Sequence, residues 1–325
     1  MENDPRVLLM GEDIVDPYGG AFKVTRGLST RFPDRVITTP ISEAGITGVA
    51  SGMAIRGLRP VVEIMFGDFI TLCADQLVNG ATKFSWMYND QFEVPLVIRC
   101  PMGGGRGYGP THSQTLESLY MGVAGITIIA PSHYHDPGNI LQTILTHEMS
   151  PVLFIENKLL YPEYLSVPDS SGWVGNLHVD VAPGSDDRYP VMRLTPDPGQ
   201  APDVTLVTYG GMAIASTTAA VNLFLQEEIN VEILLPALIK PFPSDNVVTS
   251  VESSGRLVIA EEGIKTGGWG SELASQVMER SFDVMKVPAI RVGAKDSPIP
   301  SSRGIEDAVL PQSSDIETAI YEVLK

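Results

Sequence analysis

Short runs of apolar and β-branched residues recur along this chain, and segments with helical spacing separate them. "RVLLMGE" (6–12), "RVITTPI" (35–41), "RPVVEIMF" (59–66), "VPLVIRC" (94–100), "GITIIAPS" (125–132) and "PVLFIEN" (151–157) each read as a strand. Helical patterns fall between them, over Glu43–Ile55, through "FITLCADQLVNGATKF" and over "DPGNILQTILTHE". Strands that are apolar on both faces, with helices between them, imply a parallel sheet covered on both sides. The pattern stops in "NLHVDVAPGSDDRYPVMRLTPDPGQAPD", whose Pro, Gly and Asp content reads as a linker with short irregular pieces. It then restarts with "VTLVTYG", "NVEILLPA", "RLVIAEE" and "AIRVGA" as strands. Helices are expected over "GMAIASTTAAVNLFLQEE", "SDNVVTSVESS" with Ser244 as N-cap, "WGSELASQVMERSF" and "DIETAIYEVLK". The expected fold is α/β with two doubly wound domains, 1–180 and a smaller 203–325, joined by a linker at 181–202.

A formal charge of -17 with interspersed acids and bases argues against a general nucleic-acid binder, which needs clustered Lys and Arg. It equally disfavours an anionic membrane surface. No apolar run is long enough to span a bilayer, and the start of the chain has no signal-peptide pattern. Two isolated cysteines, Cys73 and Cys100, point to neither zinc nor a disulfide framework. A cytoplasmic setting is expected, or an organelle matrix where a presequence has been removed.

No GxxxxGK[ST], GxSxG or HExxH motif occurs, nor a GxGxxG between a strand and a helix. The glycine run "GGGRGYG", Gly103–Gly109, has two open readings. Its backbone could cradle a phosphate, or it could be a structural or gating loop that needs positive φ. Glu43 also has two. Ser42–Glu43 fits a helix start, with the carboxylate favoured by the dipole. Yet the following "AGITGVASGMA" is rich in small residues, which lets another element approach closely and buries an acid whose protonation state then matters. His112, just after the glycine run, is a capping group or an acid–base residue at the carboxyl edge of a parallel sheet. His133 and His135 sit two apart between prolines, which favours a turn over a metal pair. His147 and His178 have no context that favours function.

The order "GED…YGGAFKVTRGL…FPDRVITTPISEAGITGVASGMAIRGLRPVVEIMFGDF…DQLVNGATKF…THSQTLE…PVLFIENKLLY" resembles the β subunits of thiamine-diphosphate-dependent 2-oxoacid dehydrogenases, the E1 components for pyruvate, branched-chain oxoacids and acetoin. The resemblance continues through "GRLVIAEEGIKTGGWGSELASQVMERSFDVMKVPAIRVGAKDSPIPSS" and so covers nearly the whole chain. It implies a pyrimidine-binding first half and a transketolase-type C-terminal half.

By that resemblance Glu43 hydrogen-bonds N1′ of the cofactor's aminopyrimidine and favours its imino tautomer, which takes the proton from thiazolium C2. Phe69 stacks on the pyrimidine, and Ile41 and Met65 line its pocket, although relatives often carry a polar residue where Met65 stands. His112 matches the histidine of the family's "HSQ" and faces the reacting carbon. The "GDG…N" segment that holds Mg²⁺ and diphosphate is missing, since "GEDI" and "FGDF" do not fit it. No metal ligand is therefore assigned to this chain, and the diphosphate and its Mg²⁺ fall to an E1 α subunit in an α2β2 assembly. Relatives often bind K⁺ through carbonyls where His147-Glu148-Met149 stand here. The run "ILLPALIKPFP" departs from the family's Asp-Leu-Arg.

Three readings follow. The first is decarboxylation of a 2-oxoacid with acyl transfer to the lipoyl group of an E2 acyltransferase. The second is a split transketolase-like or carboligase subunit that serves a non-lipoyl acceptor. The third, a silent structural β subunit, is disfavoured by the presence of Glu43, Phe69 and His112 together.

Overall fold

In the computed structural model, which describes residues 1–325, two seven-stranded sheets carry the chain. The first sheet contains β1 (Val7–Gly11), β2 (Val36–Thr38), β3 (Arg59–Glu63), β4 (Val97–Met102), β5 (Thr127–Ile129) and β6 (Val152–Asn157). Further on come β7 (Trp173–Val174), β8 (Leu177–Val181), β9 (Val191–Thr195), β10 (Val204–Thr208), β11 (Val231–Pro236), β12 (Leu238–Lys240), β13 (Leu257–Ile264) and β14 (Ile290–Ala294). The sheet orders are β12-β5-β6-β4-β3-β1-β2 and β14-β13-β10-β11-β9-β8-β7. The first is parallel throughout except for β12, which runs antiparallel to β5. A strand from the second half of the chain thus closes an edge of the first sheet.

The apolar runs bury both faces because strand side chains alternate. Leu8 and Met10 of β1 join a core with Val62, Ile98 and the helix residues Ile46 and Ala50. Val7 and Leu9, pointing the other way, join Val61, Val97 and the helix residues Ile140 and Ile144. The first of these cores also takes in Val207, Tyr209, Ile259 and Trp269, so the two halves share one interior.

The helix after β2 spans Glu43–Ile55, as the pattern predicts. Its small residues do allow close approach: a Cβ on Gly48 would come within 2.8 Å of Gln76 Oε1. The segment after β3 is broken where one helix is expected. A 3₁₀ stretch over Gly67–Cys73 leads into a wide π turn, Gln76–Ala81, and then a short helix, Thr82–Met87. Asp136 caps the Pro137–His147 helix by accepting from the N–H groups of Gly138 and Asn139.

Two expectations need correction. Ser244 is the first residue of its helix and makes no cap bond; its Oγ accepts from Arg280 Nη1 at 2.7 Å instead. The linker expected at 181–202 contains β9; β8 (Leu177–Val181) pairs with β9 and β7 (Trp173–Val174) with β8, so all three belong to the second sheet. The polar residues that hide this stretch from a hydrophobic pattern are themselves paired: Arg193 on β9 bridges to Asp180 on β8. No helix is long and apolar enough to cross a membrane.

Candidate active site

Glu43 opens its helix and is buried. Its structural contacts run through the main chain: its carbonyl accepts from Thr47 Oγ1 at 2.8 Å and from the Cys73 thiol at 3.7 Å. The carboxylate accepts no hydrogen bond from elsewhere in the chain, so it is free to take one from a ligand. Cys73 also reaches the carbonyl of Phe69 at 3.9 Å, which ties the turn carrying Phe69 to the start of the Glu43 helix.

Sequence reasoning missed Glu12, in "GED". It too is buried, and its Oε1 has no partner. Burial and the nearby Glu43 charge push its carboxyl pKa up, against a hydrogen bond from the Ser42 N–H.

His112 lies in an aromatic setting. Its ring stands edge-on to Phe66, with centroids 4.6 Å apart, and to Phe69 at 5.3 Å. Thr111 Oγ1 lies 3.0 Å from its Nδ1. Beneath the loop, the buried ammonium of Lys158 donates to the His112 carbonyl and sits 5.3 Å from the Phe66 ring centroid. Burial pulls the Lys158 pKa down to about 8, with Asp68 and Glu262 opposing. Phe66 and Lys158 escape a reading by sequence because nothing in their neighbours' spacing marks their convergence.

Met65 is partly buried next to Phe66. Ile41 is 83% exposed, so this chain alone does not close the pocket wall it was expected to line. Val49, on the Glu43–Ile55 helix, and Leu72, on the 3₁₀ stretch Gly67–Cys73, are also exposed. Phe69 and His112 are thus in contact, Cys73 links the turn of Phe69 to the main chain at Glu43, and Ile41 is exposed.

The glycine run resolves against a phosphate cradle. Gly103, Gly105, Gly107 and Gly109 all have positive φ, and the loop's N–H groups point at protein carboxylates. Gly104 N–H donates to Glu262 Oε1 at 2.6 Å. Gly105 and Gly107 donate to the two oxygens of Glu306, each at 2.8 Å.

His135 is a structural residue. It is buried between Ser132 and the Pro190 carbonyl, and burial pulls its pKa down to about 4. No group of three or more His, Cys, Asp or Glu side chains is arranged to hold a metal ion. At His147-Glu148-Met149 the Arg59 guanidinium donates to the Glu148 carbonyl at 3.1 Å and sits 3.3 Å from Met149 Sδ, which puts a positive charge beside the end of the helix. A cavity of about 950 Å³ lies against the side of the first sheet that packs on the Pro137–His147 helix and includes none of Glu43, Phe69 or His112.

Comparison with known proteins identifies the family. The transketolase pyrimidine-binding-domain family matches residues 1–163, and the transketolase C-terminal-domain family matches residues 198–316. The pyruvate dehydrogenase E1 component subunit beta of Rickettsia felis is 34% identical over 324 residues, covering 99% of this chain and 94% of that protein. The acetoin:2,6-dichlorophenolindophenol oxidoreductase subunit beta of Cupriavidus necator is 32% identical over 335 residues, covering all of this chain and 94% of that one. Among solved structures, a split-gene transketolase in an inactive beta4 tetramer superposes with a TM-score of 0.69 at 19% identity, covering 99% of this chain and 93% of that one, which speaks to the fold. The chain belongs to the transketolase-like family of β subunits of thiamine-diphosphate-dependent 2-oxoacid dehydrogenase E1 components.

Proposed function

We propose that this chain supplies the pyrimidine-holding half of an active site that decarboxylates a 2-oxoacid and passes the acyl group to a lipoyl group. The observation that carries this reading is the buried Glu43 carboxylate, unpartnered within its own chain, in the same region as the Phe69–His112 pair. Bound thiamine diphosphate would supply the electron sink for decarboxylation. Glu43 would hold a proton against a pyrimidine ring nitrogen, a contact far stronger in a dry pocket than in water. Phe69 would present an aromatic face to the pyrimidine ring. Met65 and Ile41 would complete its walls, Ile41 once a second chain covers it. His112, with its backbone and ring both held, would deliver or accept a proton at the reacting carbon.

The diphosphate and Mg²⁺ are assigned to an α subunit. This chain has no "GDG…N" segment, and its glycine loop is occupied by its own carboxylates. The exposed apolar side chains of Ile41, Val49 and Leu72 near Glu43 support completion of the site by another chain in an α2β2 assembly. No K⁺ site is proposed beside Arg59. Two buried free cysteines suit a reducing compartment such as the cytoplasm or an organelle matrix.

The test is co-expression with an α subunit, then a panel of 2-oxoacids with thiamine diphosphate, Mg²⁺ and a lipoyl domain. Acyl-lipoyl product is expected from the assembled enzyme. Turnover by this chain alone, or product formed only with an aldehyde acceptor, overturns the reading.

A further inference from the structure

The loop that carries His112 is unusually free by composition. Four of its residues between 103 and 109 are glycines at φ of 96°, 80°, 72° and 81°, and glycine loses more conformational freedom on ordering than any other residue. Something must hold it, and the holding groups come from the far half of the chain. Glu306 ends the short helix Arg303–Glu306 and is fully buried. Its Oε1 accepts from Gly105 N–H and its Oε2 from Gly107 N–H, both at 2.8 Å. Glu262, on β13, accepts from Gly104 N–H at 2.6 Å and from Thr115 Oγ1 at 3.2 Å, and its other oxygen accepts from Asn157 Nδ2 at 2.8 Å. These bonds bracket His112 in sequence: Gly104, Gly105 and Gly107 precede it and Thr115 follows.

We propose that Glu306, together with Glu262, is a positioning residue for His112: the second half of the chain clamps the histidine loop by presenting two carboxylates to its backbone N–H groups. Converging N–H groups in a glycine-rich turn form an anion-binding concavity. Here the anion is a side chain from across the fold, and charged acceptors make the stronger hydrogen bonds. The clamp reaches the site through the backbone, and neither carboxylate touches the reacting atoms. Its kinetic consequence rests on the role given above to His112, whereas its structural consequence does not.

The experiment uses the assembled α/β enzyme. Glu306→Gln keeps the size of the side chain but turns an NH2 group toward one of the two glycine N–H groups, while Glu306→Asp keeps both acceptors on a shorter arm. Hydrogen exchange is followed on a peptide spanning 103–111, with a peptide from the Met212–Glu227 helix as the control for global folding. Glu306→Gln is expected to speed exchange in the loop at least ~10-fold with the control unchanged, and Glu306→Asp to restore part of the protection. Turnover is expected to fall roughly 10- to 100-fold in kcat with little change in KM. In a His112→Ala background Glu306→Gln is expected to cost almost nothing further, because both act through one imidazole.

Wild-type exchange in the Glu306→Gln loop overturns the clamp. So do losses that multiply in the double variant. If Glu306→Gln does not assemble, Glu262→Gln, which loosens Gly104, is judged by the same two readouts. If the wild-type assembly turns over no 2-oxoacid, the functional reading fails, and the exchange comparison still decides the clamp.

Discussion

The imidazole of His112 meets the ring of Phe66 edge to face, centroids 4.6 Å apart and planes at 77°. An aromatic pair of this geometry contributes about 0.5–1.5 kcal/mol beyond its buried area. Phe66→Leu keeps the apolar bulk and removes the ring. We expect kcat of the assembled enzyme to fall roughly 2- to 10-fold, the kinetic equivalent of that energy. Steady-state kinetics with a 2-oxoacid check it, and an unchanged kcat shows that the ring does not orient His112.

Glu43→Gln should separate chemistry from structure. The bonds from Thr47 and Cys73 go to the Glu43 carbonyl, which the substitution leaves in place. Assembly with the α subunit is therefore expected to persist. Loss of the carboxylate should slow C2–H exchange of bound thiamine diphosphate by about 10²- to 10⁴-fold, the usual scale for a positioned acid–base group. NMR-detected deuterium exchange gives the measurement, and wild-type exchange rates would remove Glu43 from the mechanism.

Gly67 has no room for a side chain. A Cβ there would lie 2.3 Å from Met102 Cγ and 3.1 Å from the Pro101 carbonyl. Gly67→Ala should push β4 away from the turn that carries Phe69. Overpacking of this kind costs about 1–3 kcal/mol. A calorimetric scan should show Tm lowered by several degrees, and an unshifted Tm would mean that Met102 moves aside freely.

Glu261 gives the fold a definite pH slope. Burial pushes its carboxyl up to about 7 from the ordinary carboxyl value of 4.5, against a hydrogen bond from Gly270 N–H. The folded state therefore holds this proton where the unfolded chain has released it. Stability from this group is fully present below pH 4.5 and is lost as pH rises toward 7. The span corresponds to about 3 kcal/mol at most. Glu261→Gln, which keeps an acceptor for Gly270, should flatten that part of the profile and be more stable than the wild type at pH 8. Urea melts at pH 5, 6, 7 and 8 test this, and parallel profiles for the two proteins rule it out.

The strands are legible because burial on both faces makes β1, β3, β4 and β6 rich in consecutive apolar residues, and the charged Glu63 and Glu156 among them pair with Arg99. The helix at Glu43–Ile55 was legible from its small-residue pattern and its acidic first turn. β8 and β9 were not, because an edge of antiparallel strands keeps polar residues such as Arg193 and Asp180, which pair across it. Ser244 misled because a serine before an apolar run looks like a cap, yet the helix already begins at it, after Pro243. At the proposed site, Glu43, Phe69 and His112 are singled out by motif. Glu12, Phe66 and Lys158 are not, because their significance lies in convergence across the sheet. The glycine run left two readings open until its donors could be traced to Glu262 and Glu306, some 150 to 200 residues further along the chain.

The antiparallel pairing of β12 with β5 has an engineering consequence. A fragment cut after residue 163 would lose the ribbon that shields the outer rim of its own sheet, baring the amides and carbonyls of Thr127–Ile129 to any passing strand. Such a fragment should clump when expressed alone and dissolve when the remainder of the polypeptide is supplied beside it.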